Sequence, residues 1–366
     1  MLISATLGAV NCLVVIGNLL VFYMILTKRS LQSTTNTLVL SLTISDLLLG
    51  ILILPFAIIQ EHNAEWLFGD IGCHLWLSLD VFLSTASIYN LLAISFDRYM
   101  AVRQPIKYTI VSSTRLVRLM LFLVWACSLL LAAVLFVLIH IIEVGVVVTN
   151  ECQPTDLPSE YILFSASASF IIPAFLMVLF NLGIFQTVVR SSKQKTVKSN
   201  NGSLRVHRGK RKPTIDSKSI IKKLERSDTL QSFEQDKLNP DGPAMRTLFS
   251  HTVVFGILEA KKTNLINHIT QRRMYRRSLR TELRVARTTG VVVSAFIVCW
   301  IPFTTIYVLQ AYSLCTVAAD CVPNSLFVVA FWLGYSNSAV NPLLYAAFSR
   351  DFRLALKRMV WKRRKN

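Results

Sequence analysis

Charge is what this chain has least of. Only 16% of its 366 residues are charged, against 53% apolar, which is too apolar for an ordinary soluble domain and long enough for several membrane helices. Catalytic signatures are missing as well: there is no HExxH pair, no nucleophile elbow and no phosphate-binding loop, so the common hydrolase and nucleotide-dependent classes are set aside. Duplicated halves, the usual mark of a transporter with buried acids, are absent too. No cleavable leader is visible, because Met1 leads almost directly into an apolar run with Asn18 in its middle. That run is expected to act as its own targeting signal. Finally, segments 56–72, 141–160 and 313–323 hold no Lys or Arg.

Apolar runs near 2–27, 35–59, 71–101, 116–140, 161–190, 285–312 and 323–347 each reach the roughly 20 residues that a bilayer core requires. Seven spans are expected. The net charge of +19 would suit nucleic acid, but its distribution does not. Lys28-Arg29, Arg103 to Arg118, 193–284 and the stretch from Arg350 onward alternate with the base-free segments, which carry Glu61, Glu65, Asp70, Glu143, Glu151, Asp156, Glu160 and Asp320. By the positive-inside rule the basic set is cytoplasmic and the N-terminus lies outside. Cys12, Cys127 and Cys299 fall inside spans and read as small buried apolar residues. Cys73, Cys152, Cys315 and Cys321 fall on the outer, oxidising side, where disulfides persist.

The third run, CHLWLSLDVFLSTASIYNLLAISFDRYMAV from Cys73 to Val102, carries Asp80 and Asp97. A charge within a span costs at least a few kcal/mol, so each is a candidate site. Asp80 and Arg98 are 18 positions apart, five whole turns, and leave one helix face roughly 27 Å apart. Ser84 and Ser87 fall on that face between them, and the stripe must turn away from lipid. In the second run Asp46 is a further buried acid. The lone Asn18 reads as a helix-to-helix hydrogen bond. In the fifth run Ser165 and Ser169 stand at i and i+4, as ligand contacts or as packing serines, while Ser167 reads as packing.

Asp97-Arg98-Tyr99, closing a span that opens on a cysteine, resembles the third helix of rhodopsin-like G-protein-coupled receptors. LDVFLSTASIYNLLAISFDRY is similar to their biogenic-amine branch. The resemblance implies an all-α fold, a seven-transmembrane helix bundle with a short amphipathic eighth helix. Spans one to five would occupy 1–190, a long basic and largely disordered cytoplasmic loop 191–281, spans six and seven 282–348, and the tail 349–366. The implied activity is not enzymatic: a plasma-membrane receptor for an extracellular amine, coupled to a heterotrimeric G protein, with arrestin and receptor kinases as further partners, lipid around it and no nucleic acid. An outer tail with glycosylation sites is customary and is not seen, so the start is expected to be cut short; Asn201-Gly202-Ser203 lies in the cytoplasmic loop, where it would not be used.

Residue by residue, the resemblance makes Asp80 the counter-ion of the ligand's ammonium, with Val81, Ser84, Trp300, Phe303, Thr304, Trp332 and Tyr335 around the ligand and Ser165 and Ser169 at its ring hydroxyls. It pairs Cys73 with Cys152, leaving Cys315 to Cys321. Asp46, Ser87, Asn337, Ser338 and Asn341 would hold an allosteric sodium ion, the only cofactor implied; the alternative is a protonated Asp46 in a network without metal. Arg98 would be held by Asp97 and by Glu282, unless Glu282 pairs with Arg284 or Arg287. Tyr99 completes the coupling motif. Ile88, Pro173 and Phe296 form a packing triad, and Trp125 is structural. Pro302 in Cys299-Trp300-Ile301-Pro302, and Asn341-Pro342 through to Tyr345, are hinges.

Two departures stand out. Thr304 replaces a second aromatic, which predicts a thinner, more polar floor, and Asn181 replaces a tyrosine that helps hold the active state. In the third loop, Arg208 to Lys212 and Arg272 to Arg280 read first as a solvated loop surface and otherwise suit anionic lipid or the partner surface of a phosphorylating enzyme, and Thr252 to Leu258 is too short to span. In the tail, Phe352 and Leu354 are expected toward lipid, with Arg353, Lys357 and Arg358 toward headgroups. No cysteine follows the seventh span to carry a palmitoyl anchor. The serines favour dopamine, octopamine, tyramine or noradrenaline. FWLGYSNSAVNPLLYAAFSRDFR is also similar to histamine receptors, and a serotonin receptor, a constitutively active orphan and an amine transporter are the alternatives. The long loop and short tail resemble receptors that inhibit adenylate cyclase.

Overall fold

The computed structural model describes residues 2–63, 65–104, 108, 114–141, 152, 159–200, 286–309 and 323–363. Among the described residues every regular element is helical. The first span is Leu2–Thr27. A short 3-10 turn, Arg29–Leu31, leads to Ser33, whose Oγ accepts from the Asn36 N–H at 3.3 Å and caps the second span.

The second span, Thr34–Asn63, is two helices, Thr34–Leu52 and Leu54–Asn63. It breaks at Ile53 because Pro55, two residues on, has no N–H to continue the ladder. Trp76 of the third span donates to the Ile53 carbonyl at 3.2 Å. The third span, Gly69–Arg103, opens on Gly69 at φ 68°, a conformation glycine enters without strain. It buries side chains along most of its length.

The fourth span is Thr114–Ile141. The fifth consists of Ser159–Ala166, a π-helical turn Ser167–Ile171, and Ile172–Asn200, which continues beyond the boundary expected at residue 190. The sixth is Ala286–Leu309 and the seventh Asn324–Phe348, with Pro342 inside it. Ser349, in extended backbone, separates this from the tail helix Arg350–Arg363.

Six of these helices are long and apolar enough to cross a membrane. The seventh, at 25 residues, spans about 37 Å. Its apolar run is diluted by Tyr335, Asn337, Ser338 and Asn341, all of them buried. Many large apolar side chains stand exposed along the helices, among them Phe122, Leu130, Phe175, Phe185 and Val298. Apolar outside and polar within is the pattern a bilayer selects.

The core has two layers. The outer one gathers Val14, Leu49, Leu83, Leu135, Tyr161 and Trp332; the inner one gathers Leu38, Leu91, Met177, Val292, Phe296 and Tyr345. Polar contacts join the helices. Asn18 donates to the carbonyls of Val14 and of Ser338 in the seventh span, both at 2.9 Å, and Trp125 donates to Ser41 Oγ at 3.1 Å. Gly17 lets the first span meet the seventh, since a Cβ there would lie 3.1 Å from the Pro342 ring.

Cys73 and Cys152 form a disulfide with Cα atoms 5.7 Å apart. Cys315, Cys321, Arg208 to Lys212, Thr252 to Leu258 and Arg272 to Arg280 lie outside the described residues. Two expectations are corrected. Cys12 and Cys127 are exposed on the lipid-facing side of their helices, and only Cys299 is buried, because a thiol is apolar enough to sit in hydrocarbon. Phe352 turns inward and stacks on Tyr345 at 5.5 Å; Ser349 bends the chain back under the bundle, so only Leu354 of that pair is exposed.

Candidate functional site

Asp80 sits on the cavity-facing side of the third span. Its Oδ1 accepts from Ser84 Oγ, one turn along, at 3.1 Å and from the Tyr335 hydroxyl of the seventh span. Both donors are on Oδ1, and Oδ2 has none among the described residues. The cavity in front of it is walled by Val81, Ser84 and Thr85 on the third span and by Ser165 and Ser169 on the fifth. Trp300, Phe303, Thr304 and Tyr307 of the sixth and Phe331 and Tyr335 of the seventh complete it.

Thr85 donates to Ser169 Oγ at 3.2 Å, tying the serine wall to the third span. Aromatic rings close the cavity despite Thr304. Phe303 lies parallel to Tyr307 at 5.8 Å and 5.9 Å from Phe331, and Phe331 lies edge-on to Tyr335 at 4.7 Å. Thr304 itself lines the cavity, and Tyr307 and Phe331 add rings to its walls. Trp332 is placed off the cavity, in the outer core beside Tyr335. Neighbouring helix positions differ by about 100°, so Phe331 and Tyr335, four apart, share the cavity face and Trp332 turns from it.

Thr85, Tyr307 and Phe331 went unrecognised in the sequence. Their signal was four-residue helical spacing from Val81, Phe303 and Tyr335. A cavity with a carboxylate on one wall, hydroxyls on another and rings between suits a small aryl cation.

Beneath this lies a second acid, closed off from the surface. Asp46 is fully buried. Its Oδ1 accepts from Ser87 Oγ at 2.8 Å and Ser338 Oγ at 2.9 Å, and its Oδ2 from Asn341 Nδ2 at 2.9 Å. Asn337 is buried too but makes no hydrogen bond to Asp46; its Oδ1 and the Oδ1 of Asn341 have no hydrogen-bond partner among the described residues. A carboxylate, two hydroxyls and unpartnered amide oxygens form a donor set of the hard oxygen kind, and these residues fit a small cation.

Between the two acids, Ile88 and Phe296 share the inner core. Phe296 lies 6.2 Å from Trp300 and 5.8 Å from Phe170, and Pro173 is buried just past the π-turn. The ring chain Trp300, Phe296 and Phe170 connects the cavity to the inner half.

At the end of the third span away from the Cys73–Cys152 disulfide, Arg98 and Asp97 are buried and ion-paired. Arg98 Nε donates to Asp97 Oδ2 at 3.1 Å and its Nη2 also donates to Thr35 Oγ1. Tyr108, just past the third span, donates to Asp97 Oδ1 at 2.9 Å and accepts from Arg98 at 3.2 Å. Thr35 and Tyr108 carried no local signal in the sequence, because they join the motif only through the fold. Glu282 lies outside the described residues.

Tyr99 packs on Gly183, where a Cβ would come within 2.6 Å of the ring. Asn181 donates to its own helix at Met177 O, 2.8 Å away. Arg98, Thr288, Val292, Tyr345 and Arg350 border an opening at this end. Pro302 lies inside the sixth helix two residues past Trp300.

A cavity with a carboxylate on one wall, a buried polar core and a buried arginine toward the opposite end lie within one bundle of apolar helices, the arrangement of a transmembrane receptor. Residues 17–345 match the family described as 7 transmembrane receptor (rhodopsin family), and the chain belongs to it; it is not an enzyme. It is 33% identical to probable G-protein coupled receptor No9 of Amphibalanus amphitrite over 97% of this chain and 85% of that protein. It is 29% identical to the alpha-2A adrenergic receptor of Danio rerio over 99% and 93%. With octopamine receptor beta-2R of Drosophila melanogaster it shares 33% over 93% of this chain and 58% of that protein. These relatives put it on the biogenic-amine branch of the family.

Proposed function

We propose that this protein is a cell-surface receptor, N-terminus outside, for an extracellular amine with a hydroxylated ring, a phenolamine or catecholamine. The observation that carries this is the pairing across one cavity of Asp80, with an open Oδ2, and the Ser165 and Ser169 wall. The ammonium binds Asp80, the ring lies among Phe303, Tyr307 and Phe331, and the ring hydroxyl meets the serines. Relatives named as octopamine and adrenergic receptors support the reading.

A site built for a hydroxyl leaves polar groups unpaired when a bare ring enters. Octopamine, tyramine or dopamine should therefore outrank phenethylamine in competition binding and in second-messenger response. The advantage should shrink about tenfold in a Ser165→Ala, Ser169→Ala double variant. If that variant discriminates as well as the parent, the serines are packing residues and the amine class is wrong.

The Asp46 cluster, with Ser87, Ser338 and Asn341, would hold sodium, which supplies a counter-charge that favours the resting arrangement. Release of Arg98 from its partners opens the cytoplasmic mouth to the G protein. The long third loop and short tail support coupling that lowers cyclic AMP; a pertussis-toxin-insensitive rise would overturn that assignment.

A further inference from the structure

The fifth span changes register at Ser167–Ile171, and Pro173 supplies the reason. In an α-helix the Ser169 carbonyl would look to the N–H of residue 173; in a π-turn the Ala168 carbonyl would. Proline has no N–H, so either register leaves one carbonyl without a donor. The π register is the one adopted, with the Ile172 N–H reaching back to Ser167 O. The carbonyl it strands is Ala168 O, and the Tyr89 hydroxyl of the third span donates to that oxygen at 3.1 Å.

One turn before Tyr89 on the same helix, Thr85 donates to Ser169 Oγ. Two rungs from the third span thus hold the turn, one on backbone and one on side chain. The extra residue in the turn rotates everything before it by about 100° relative to an uninterrupted helix. Ser165 lies before the turn and Ser169 within it, yet both line the cavity.

We propose that Tyr89, acting with Thr85, is a specificity-determining positioning residue: it holds the fifth span in the register that presents Ser165 and Ser169 together to a hydroxylated ring. The proposal rests on the amine reading above and adds that discrimination depends on a side chain directed at the helix backbone. Tyr89 touches no ligand in this arrangement. It selects between two helical registers of nearly equal backbone cost, because each strands one carbonyl and only the π register strands the one within its reach.

The test uses the full-length receptor in membranes, with octopamine and phenethylamine as competing probes and surface labelling to count receptors. Tyr89→Phe should weaken octopamine about threefold to tenfold and leave phenethylamine unchanged. Pro173→Ala returns an N–H to residue 173 and so gives Ala168 O its own donor. On that background Tyr89→Phe should alter discrimination no further. Thr85→Ala, at a residue that also lines the cavity, should lower octopamine more than phenethylamine, and that ratio serves as the measurement if Tyr89→Phe does not reach the surface. Equal loss for both amines, no loss, or the same Tyr89→Phe effect on both backgrounds would overturn the proposal. If octopamine has no advantage in the parent, or the serine double variant keeps it, the amine reading itself fails and takes this inference with it.

Discussion

Asp80 and Asp46 are the same side chain placed on adjacent spans in one apolar bundle, and they are provided for in opposite ways. Asp46 has no exposure and three donors spread over both oxygens. Asp80 is partly exposed to a cavity and has two donors on one oxygen. A carboxylate offers about four acceptor positions. The fold fills most of them at Asp46 and leaves the second oxygen of Asp80 vacant toward solvent. One acid is closed within the protein and the other faces a cavity.

That contrast can be broken most sharply at Asp80. Asp80→Ala should lower amine affinity by at least about a hundredfold, the order expected for breaking a buried ion pair on one side, with surface expression retained. Asp46→Asn should cost far less in sodium-free buffer, and equal losses at the two sites would end the distinction. Next in size is the response to salt composition: replacing an inert cation by sodium should weaken agonist binding about fivefold to tenfold, and Asp46→Asn should erase that response. An unchanged sodium effect in the variant would move the ion elsewhere.

Ser84→Ala removes one of the two donors on Asp80 Oδ1. With Tyr335 still in place, a twofold to threefold change in affinity, of the order of one hydrogen bond in a membrane, should appear in competition binding. Smallest is Gly17→Ala, whose Cβ would press on Pro342 beside Asn341. It should cost about 1 kcal/mol of stability, seen as a lower thermal midpoint, with amine affinity in sodium-free buffer unaltered.

All seven spans were legible as apolar runs long enough to cross a bilayer. The seventh is the most diluted of them: Tyr335, Asn337, Ser338 and Asn341 are buried and lower its apolar content, which is the cost of lining a cavity and a polar core together. The convergence of Asp46 with Ser87, Ser338 and Asn341 followed from buried polar residues needing one another. What the residues did not disclose depends on rotation about a helix axis or on partners far away in sequence. Trp332 and Phe331 are adjacent and equally aromatic, and only the helix phase decides which meets the ligand space. Cys12 and Cys127 are apolar enough to be at home facing lipid or protein. The π-turn is not written in Ser167–Ile171 but in Pro173 and in a tyrosine on another helix.

The amide of Asn18 joins the first span to the seventh across 320 positions of sequence. At roughly 5–20 residues per second of synthesis, the first helix enters the bilayer tens of seconds before the helix that will pair with it. During that interval the amide still has the Val14 carbonyl of its own helix, which keeps one donor occupied in the bilayer. Closure of the bundle is thus a late event in the biogenesis of the protein. A ribosome that stops short of Ser338 leaves a membrane-inserted chain whose earliest segment still lacks its last partner.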